Sequence, residues 1–426
     1  MWSAIAAFTI FILIGVPVAF SLGAAATVYL ILEGVSLGLI ATRLFTGLDS
    51  FTFMAIPFFI LAGELMNSSG ITKRLVNFTS IMVGRLRGGL GHVSIVTSML
   101  FGGVTGSAIA DCSAVGTMMI PAMKDKGYDE EFAAGLIASA AIMGPIIPPS
   151  IPFVVYALLS STSVAALFLG GIVPGIMIAV GLMIVTYIIA RKRNFPRGER
   201  ITSLKQVGKA LADGFIPLMM PFIILGGIIT GIFTATESSA VAVVYGLVVG
   251  LFVYRDLPLS SIKKALLGTA KTTGVVFLVI ACSNVFNWML VVEQVPQAMA
   301  MFVSGIIHSK WLLLLAINVI LLIVGTFMEG TAAMIILVPI LLKITAAYSI
   351  HPIFLGVIVV VNLMIGLLTP PVGLLLYVVC GMTKLPLERV VKGVLPFLGV
   401  EIIVLFLITY IEPLSMFLPR FFGYIH

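Results

Sequence analysis

Gly144-Pro-Ile-Ile-Pro-Pro-Ser150 and Gly366-Leu-Leu-Thr-Pro-Pro-Val372 are the same interruption written twice, 222 residues apart, each inside a long apolar run. Two adjacent prolines remove two backbone donors and release upstream carbonyls, and the leading glycine lets the chain unwind. Gly103 and Gly325 share the 222-residue offset. Pro121 and Pro339, and the carboxylates Asp111 and Glu329, pair at 218. Upstream, Thr27-Val-Tyr matches Val243-Val-Tyr. The chain therefore reads as two homologous halves. They are 1–190 and 214–426, joined by the polar stretch 191–213.

The composition says what solvent those halves occupy. Of 426 residues, 60% are hydrophobic and only 10% charged, so a soluble fold of this size lacks the interior to bury them. Mean hydropathy is +1.22. Stretches such as 172–190 carry no charge. At ~1.5 Å per residue they approach the ~30 Å hydrocarbon thickness of a bilayer. The expected class is an all-α, multi-pass integral membrane protein. Residues 1–32 read as a retained membrane segment, either one tilted span or two pieces broken at Gly15-Val-Pro17. The +7 net charge lies between apolar runs, which makes it topological and excludes a nucleic-acid role. Cys112, Cys282 and Cys380 are isolated in apolar segments, and the four histidines form no metal spacing.

Before each Pro-Pro break lies a hairpin signature. Residues 93–123 and 311–342 each run apolar, then glycine-rich and polar, then apolar again, with a broken helix following at 132–160 and 353–383. Arms of about a dozen residues cover half a bilayer, which places each polar tip near the midplane. Irregular backbone at that depth must be enclosed by protein or line a cavity. With both hairpins treated as re-entrant, 20 of the 24 Lys and Arg residues fall on one side, taken as cytoplasmic. The two halves then face opposite ways, giving an inverted repeat. Paired interruptions at matching positions mark a secondary-transporter site: freed carbonyls for a cation such as Na⁺, half-helix N-termini for an anion. Asp111 and Glu329 sit at the tips, where a charge at the bilayer centre costs about 3 kcal/mol and asks for a reason. They read either as helix caps or as coupling carboxylates. Basic amphipathic stretches, 73–91 and 296–310, precede the hairpins.

Gly106-Ser-Ala-Ile-Ala-Asp111, Gly116-Thr, Ile120-Pro-Ala-Met, Lys126-Gly-Tyr-Asp129, Ile56-Pro-Phe-Phe-Ile-Leu-Ala-Gly-Glu-Leu-Met66, Gly144 to Ser150 and Leu368-Thr-Pro-Pro-Val-Gly373 resemble the large membrane subunit of tripartite ATP-independent periplasmic (TRAP) transporters, along nearly the whole chain. That resemblance implies sodium-coupled import of small carboxylates, such as sialic acid or C4-dicarboxylates, across a bacterial inner membrane by an elevator motion. It implies two partners, a small four-helix membrane subunit and a soluble periplasmic binding protein. It also implies one sodium site at Gly106, Ser107, Gly144 and Pro145, and a second at Gly325, Thr326, Gly366 and Thr369. The substrate carboxylate then sits between the tips, with Thr105, Ser150 and Thr331 as polar contacts. A self-sufficient single-chain sodium/carboxylate symporter shares these features, and a passive channel is a weaker fit. No Ser–His pair, His-Glu-x-x-His or aspartate dyad motif points to an enzyme.

Overall fold

A computed structural model describes residues 2–197 and 204–425. Helices account for nearly all of them, and no extended strand occurs among the described residues. The first half runs α1 (Trp2–Leu13), α2 (Val18–Leu32), α3 (Gly38–Thr46), α4 (Ala55–Ser68), α5 (Ile71–Val83), α6 (Gly89–Thr105), α7 (Ala108–Asp125), α8 (Glu130–Ala141), α9 (Ile151–Ser160) and α10 (Val164–Lys192). The second runs α11 (Leu204–Ile229), α12 (Ala235–Val248), α13 (Leu259–Val292), α14 (Val295–Ile306), α15 (Lys310–Phe327), α16 (Gly330–Ala346), α17 (Pro352–Gly366), α18 (Leu374–Thr383), α19 (Leu387–Tyr410) and α20 (Pro413–Phe421). Among the described residues, seven helical segments are long and apolar enough to cross a membrane. The N-terminal stretch is two packed helices, divided at Gly15-Val16-Pro17. Of the 191–213 linker, 198–203 lie outside the described residues; α10 reaches Lys192 and α11 starts at Leu204, so its ends are helical.

Helices α15 to α19 follow α6 to α10 in the same order. Each begins 221 to 223 residues after its counterpart, with Gly89 and Lys310 at one extreme and Val164 and Leu387 at the other. Contacts between the halves are reciprocal. α7 packs on α18 as α16 packs on α9; α8 packs on α19 as α17 packs on α10; α2 packs on α13 as α12 packs on α4. Such exchange is what a pseudo-two-fold axis produces. Helices α6–α10 and α15–α20 form one packed set, and α1–α5 with α11–α14 form a second set against it. Helix α17 is buried on every face, as its unbroken apolar sequence requires. Its one amide side chain, Asn362, donates to Asn318 Oδ1 at 2.8 Å, and Asn318 donates to Thr409 Oγ1 at 3.0 Å. This chain ties α15, α17 and α19 together inside the apolar interior.

Two sequence expectations change. The hairpin arms are 17 or 18 residues, not about a dozen. The glycine-rich segment Gly102–Thr105 stays helical and the arm begins at Gly89, so each arm is about 25 Å long. A tip at mid-depth therefore needs tilted arms, or arms that start outside the hydrocarbon. The 218-residue pairing also fails. Ser107 caps α7 and Glu329 caps α16, so these two correspond at the 222-residue offset. Pro339 lies one turn nearer its cap than Pro121 does, and the residue matching Asp111 is Ala333.

Helices α8 and α19 cross backbone to backbone. A Cβ on Gly393 would collide with the Glu131 carbonyl, whereas one on Gly381 meets nothing within 4 Å. Gly393→Val is expected to destabilise the protein by about 1–3 kcal/mol through overpacking. The melting temperature in detergent will fall for Gly393→Val and hold within about a degree for Gly381→Val.

Candidate functional site

The first hairpin tip is built by caps. Helix α6 ends at Gly106, which takes the left-handed conformation at φ +61° and donates its N–H to Gly102 O at 2.9 Å. A side chain there is excluded twice, because a Cβ would also sit 2.9 Å from the Pro149 carbonyl. Ser107 then starts α7, its hydroxyl accepting from the Ala110 N–H at 3.4 Å. On the broken helix, Ser150 starts α9 by accepting from the Phe153 N–H at 3.2 Å, and it donates to the Pro145 carbonyl. One carbonyl lone pair of Pro145 is therefore already used within the break.

Asp111 lies on the inner face of α7 and is fully buried. Its Oδ1 accepts from the Thr105 hydroxyl. Its Oδ2 has no hydrogen-bond partner. That oxygen lies beside the contact of Gly102 with Gly144: it is 3.1 Å from where a Cβ on Gly102 would be, and a Cβ on Gly144 would strike the carboxylate. Asp111 thus does not cap α7, whose cap is Ser107.

The second tip shares the backbone plan but differs in chemistry. Gly325 touches Gly366, where a Cβ would meet the Gly325 Cα at 2.6 Å. The Gly373 N–H donates to the Thr326 carbonyl at 3.2 Å, which ties the break to the tip. Thr369 donates its hydroxyl to Ile365 O at 3.1 Å. Both Glu329 oxygens are occupied: Oε1 by the Thr331 hydroxyl at 2.9 Å, Oε2 by the Ala332 N–H at 3.0 Å. Glu329 is a helix cap, with the carboxylate on the positive end of α16. Both Pro-Pro bonds, Pro148-Pro149 and Pro370-Pro371, are cis.

At each crossing two helix C-termini and two helix N-termini converge. C-terminal carbonyls favour a small cation and N-terminal amides favour an anion. A buried, ionisable oxygen without a partner is costly unless something positive sits beside it. The Asp111 site therefore fits a hard cation held by oxygen atoms. The second site offers only neutral backbone and hydroxyl oxygens.

Thr105 and Ser107 also line a cavity of about 90 Å³, together with Glu64 and Asn67 of α4 and Thr272 of α13. This is smaller than the roughly 300–1,000 Å³ of ordinary ligand pockets. Thr331 and Ser150 do not line it. Thr331 serves the Glu329 cap and Ser150 serves the break. Asn67 and Thr272 carried no sequence signal and Glu64 entered only within the Ile56–Met66 motif, because the three converge only when α4 and α13 pack on the hairpin.

The sequence matches the family described as tripartite ATP-independent periplasmic transporter, DctM component, over residues 5–414. It is 42% identical to the sialic acid TRAP transporter large permease protein SiaM of Vibrio cholerae, covering 96% of each chain. It is 42% identical to the C4-dicarboxylate TRAP transporter large permease protein DctM of Pseudomonas aeruginosa, covering 90% of each. It is 41% identical to the isethionate TRAP transporter permease protein DctMQ of Oleidesulfovibrio alaskensis, over 96% of this chain and 65% of that one. The fold resembles the crystal structure of the Alcanivorax borkumensis YdaH transporter, with a TM-score of 0.65 at 13% identity, covering 89% of this chain and 90% of that one. Backbone plan and sequence agree, and the chain belongs to the tripartite ATP-independent periplasmic transporter family as a large permease subunit, not an enzyme.

Proposed function

We propose that this subunit imports a small organic acid across a bacterial inner membrane, driven by Na⁺. The observation that carries the reading is the buried, unpartnered Asp111 oxygen beside Gly102 and Gly144. A sodium ion there, with Gly106, Ser107, Gly144 and the remaining lone pair of Pro145 as neighbouring oxygen donors, neutralises that charge. A second sodium belongs at Gly325, Thr326, Gly366 and Thr369, held by neutral oxygens alone. The substrate class follows from the relatives, whose names give sialic acid, C4-dicarboxylates and isethionate, all organic anions. The acid group sits where the half-helix N-termini point, near Thr105 and Ser107.

The reciprocal packing of the two halves supports alternating access. Combined with the one-sided distribution of basic residues, it favours an inverted arrangement. The set built on α6–α10 and α15–α20 then moves as a carrier against the other helices, in an elevator motion. Family membership favours a small four-helix membrane subunit and a periplasmic binding protein as partners. Energetics favour more than one sodium. Carrying one negative charge into a cell costs about 2.3 kcal/mol per 100 mV, one Na⁺ cancels this, and a second makes the complete transport cycle inward-driven.

Proteoliposomes holding this chain, with and without its small subunit and binding protein, test the reading. Uptake of an organic acid is expected to require both partners and an inward Na⁺ gradient, with two Na⁺ per monoanion. Na⁺-driven uptake by the chain alone would make it a self-sufficient symporter, and a stoichiometry of one would remove the second site. Asp111→Asn is expected to abolish Na⁺-dependent uptake while the protein still purifies in assembled form. Glu329→Gln, which weakens a cap, is expected to cost about 1 kcal/mol of stability with uptake retained. A Na⁺ dependence unaltered in Asp111→Asn would refute the first site.

A further inference from the structure

Two cavities in the structure meet at a single residue. The first is the 90 Å³ space lined by Thr105 and Ser107, with Glu64 on the opposite wall. The second, about 410 Å³, opens broadly at the surface and is lined by Thr72, Lys73, Ser113 and Thr117. Asn67 lines both. The walls are continuous as well. Ser107, Ala110, Ala114 and Thr117 follow one face of α7 at helical spacing, and all four line one cavity or the other. Facing them, Glu64 and Asn67 lie three residues apart on α4, and the chain turns at Gly70 into α5.

Charge changes sign along this path. Glu64 stands at the inner end and the exposed Lys73 at the mouth. Lys73 makes no ion pair among the described residues, and Asp256 pairs with Arg74 at 2.5 Å. Arg74 is held further by the Tyr254 ring, 3.7 Å from its centroid. The distribution of basic residues puts Lys73 on the cytoplasmic side.

We infer that the α7 face from Ser107 to Thr117 and the α4–α5 junction form the route by which an organic anion leaves the site for the cytoplasm. Asn67 is its constriction and Lys73 the cation that draws the anion out. This rests on the transport reading above. An anion between Glu64 and Lys73 is pushed from one and pulled by the other, so the field along the route favours release. The bare ammonium at the mouth is exposed and hydrated, which keeps it from trapping the anion.

Two measurements decide it. In a Cys380→Ala background, Thr117→Cys is treated with a membrane-impermeant thiol reagent in inside-out and right-side-out vesicles. Labelling is expected from the cytoplasmic face only; labelling from the outer face overturns the route whatever the transport result. In proteoliposomes with the full assembly, uptake of radiolabelled sialic acid and succinate is compared for wild type, Lys73→Gln and Lys73→Arg. Lys73→Gln is expected to lower the maximal rate about 3- to 10-fold with KM unchanged, and Lys73→Arg to keep it. A Lys73→Gln rate equal to wild type overturns the role of Lys73. Wild-type uptake of neither anion counts against the transport reading instead, while the labelling still decides the route.

Discussion

Backbone meets backbone at Gly102 and Gly144, and again at Gly325 and Gly366, and the site depends on these two contacts. Each places a hairpin tip directly on a broken helix with no side chain between them. Helix ends, which elsewhere need water or caps, are brought to face one another in an apolar interior. Any Cβ at these positions would push the tip away and leave carbonyls and amides without company. The cap residues Ser107, Ser150 and Glu329 complete the arrangement by fixing where each new helix starts.

The two crossings share geometry and differ in chemistry. The first has a buried carboxylate, Asp111, with one oxygen unpartnered; the matching residue in the second is Ala333. In the second, the carboxylate that does occur, Glu329, is fully engaged in capping. The shared backbone plan thus carries a buried, unpartnered carboxylate in one half and not in the other. A cation at the first crossing would meet a charge and at the second only dipoles, so the two crossings have no reason to bind one with equal strength.

The membrane class was legible because composition alone decides it, and the breaks were legible because glycine and proline act locally. The arms were misjudged because glycines at 102 and 103 look like a loop in sequence, yet remain helical where α8 supports them. The 218-residue pairing joined Asp111 to Glu329 because both are acidic and prolines follow at the same distance. Only the position of the caps separates a buried ligand from a helix start. The meeting of Glu64 and Asn67 with Thr272 was invisible since α4 and α13 lie about 200 residues apart in sequence. The amide chain Asn318–Asn362–Thr409 was hidden for the same reason, although Asn362 stands alone in an apolar run.

An ionised Asp111 also gives the carrier a charge of its own. On the proposed stoichiometry, a moving part loaded with two sodium ions and a monoanion is electrically neutral and would cross without regard to the membrane potential. Emptied on the inside with Asp111 still ionised, it would keep one negative charge, which the negative interior repels outward with about 2.3 kcal/mol per 100 mV. The potential would then do its work on the return of the empty carrier, and the buried aspartate would act as the device that resets the machine.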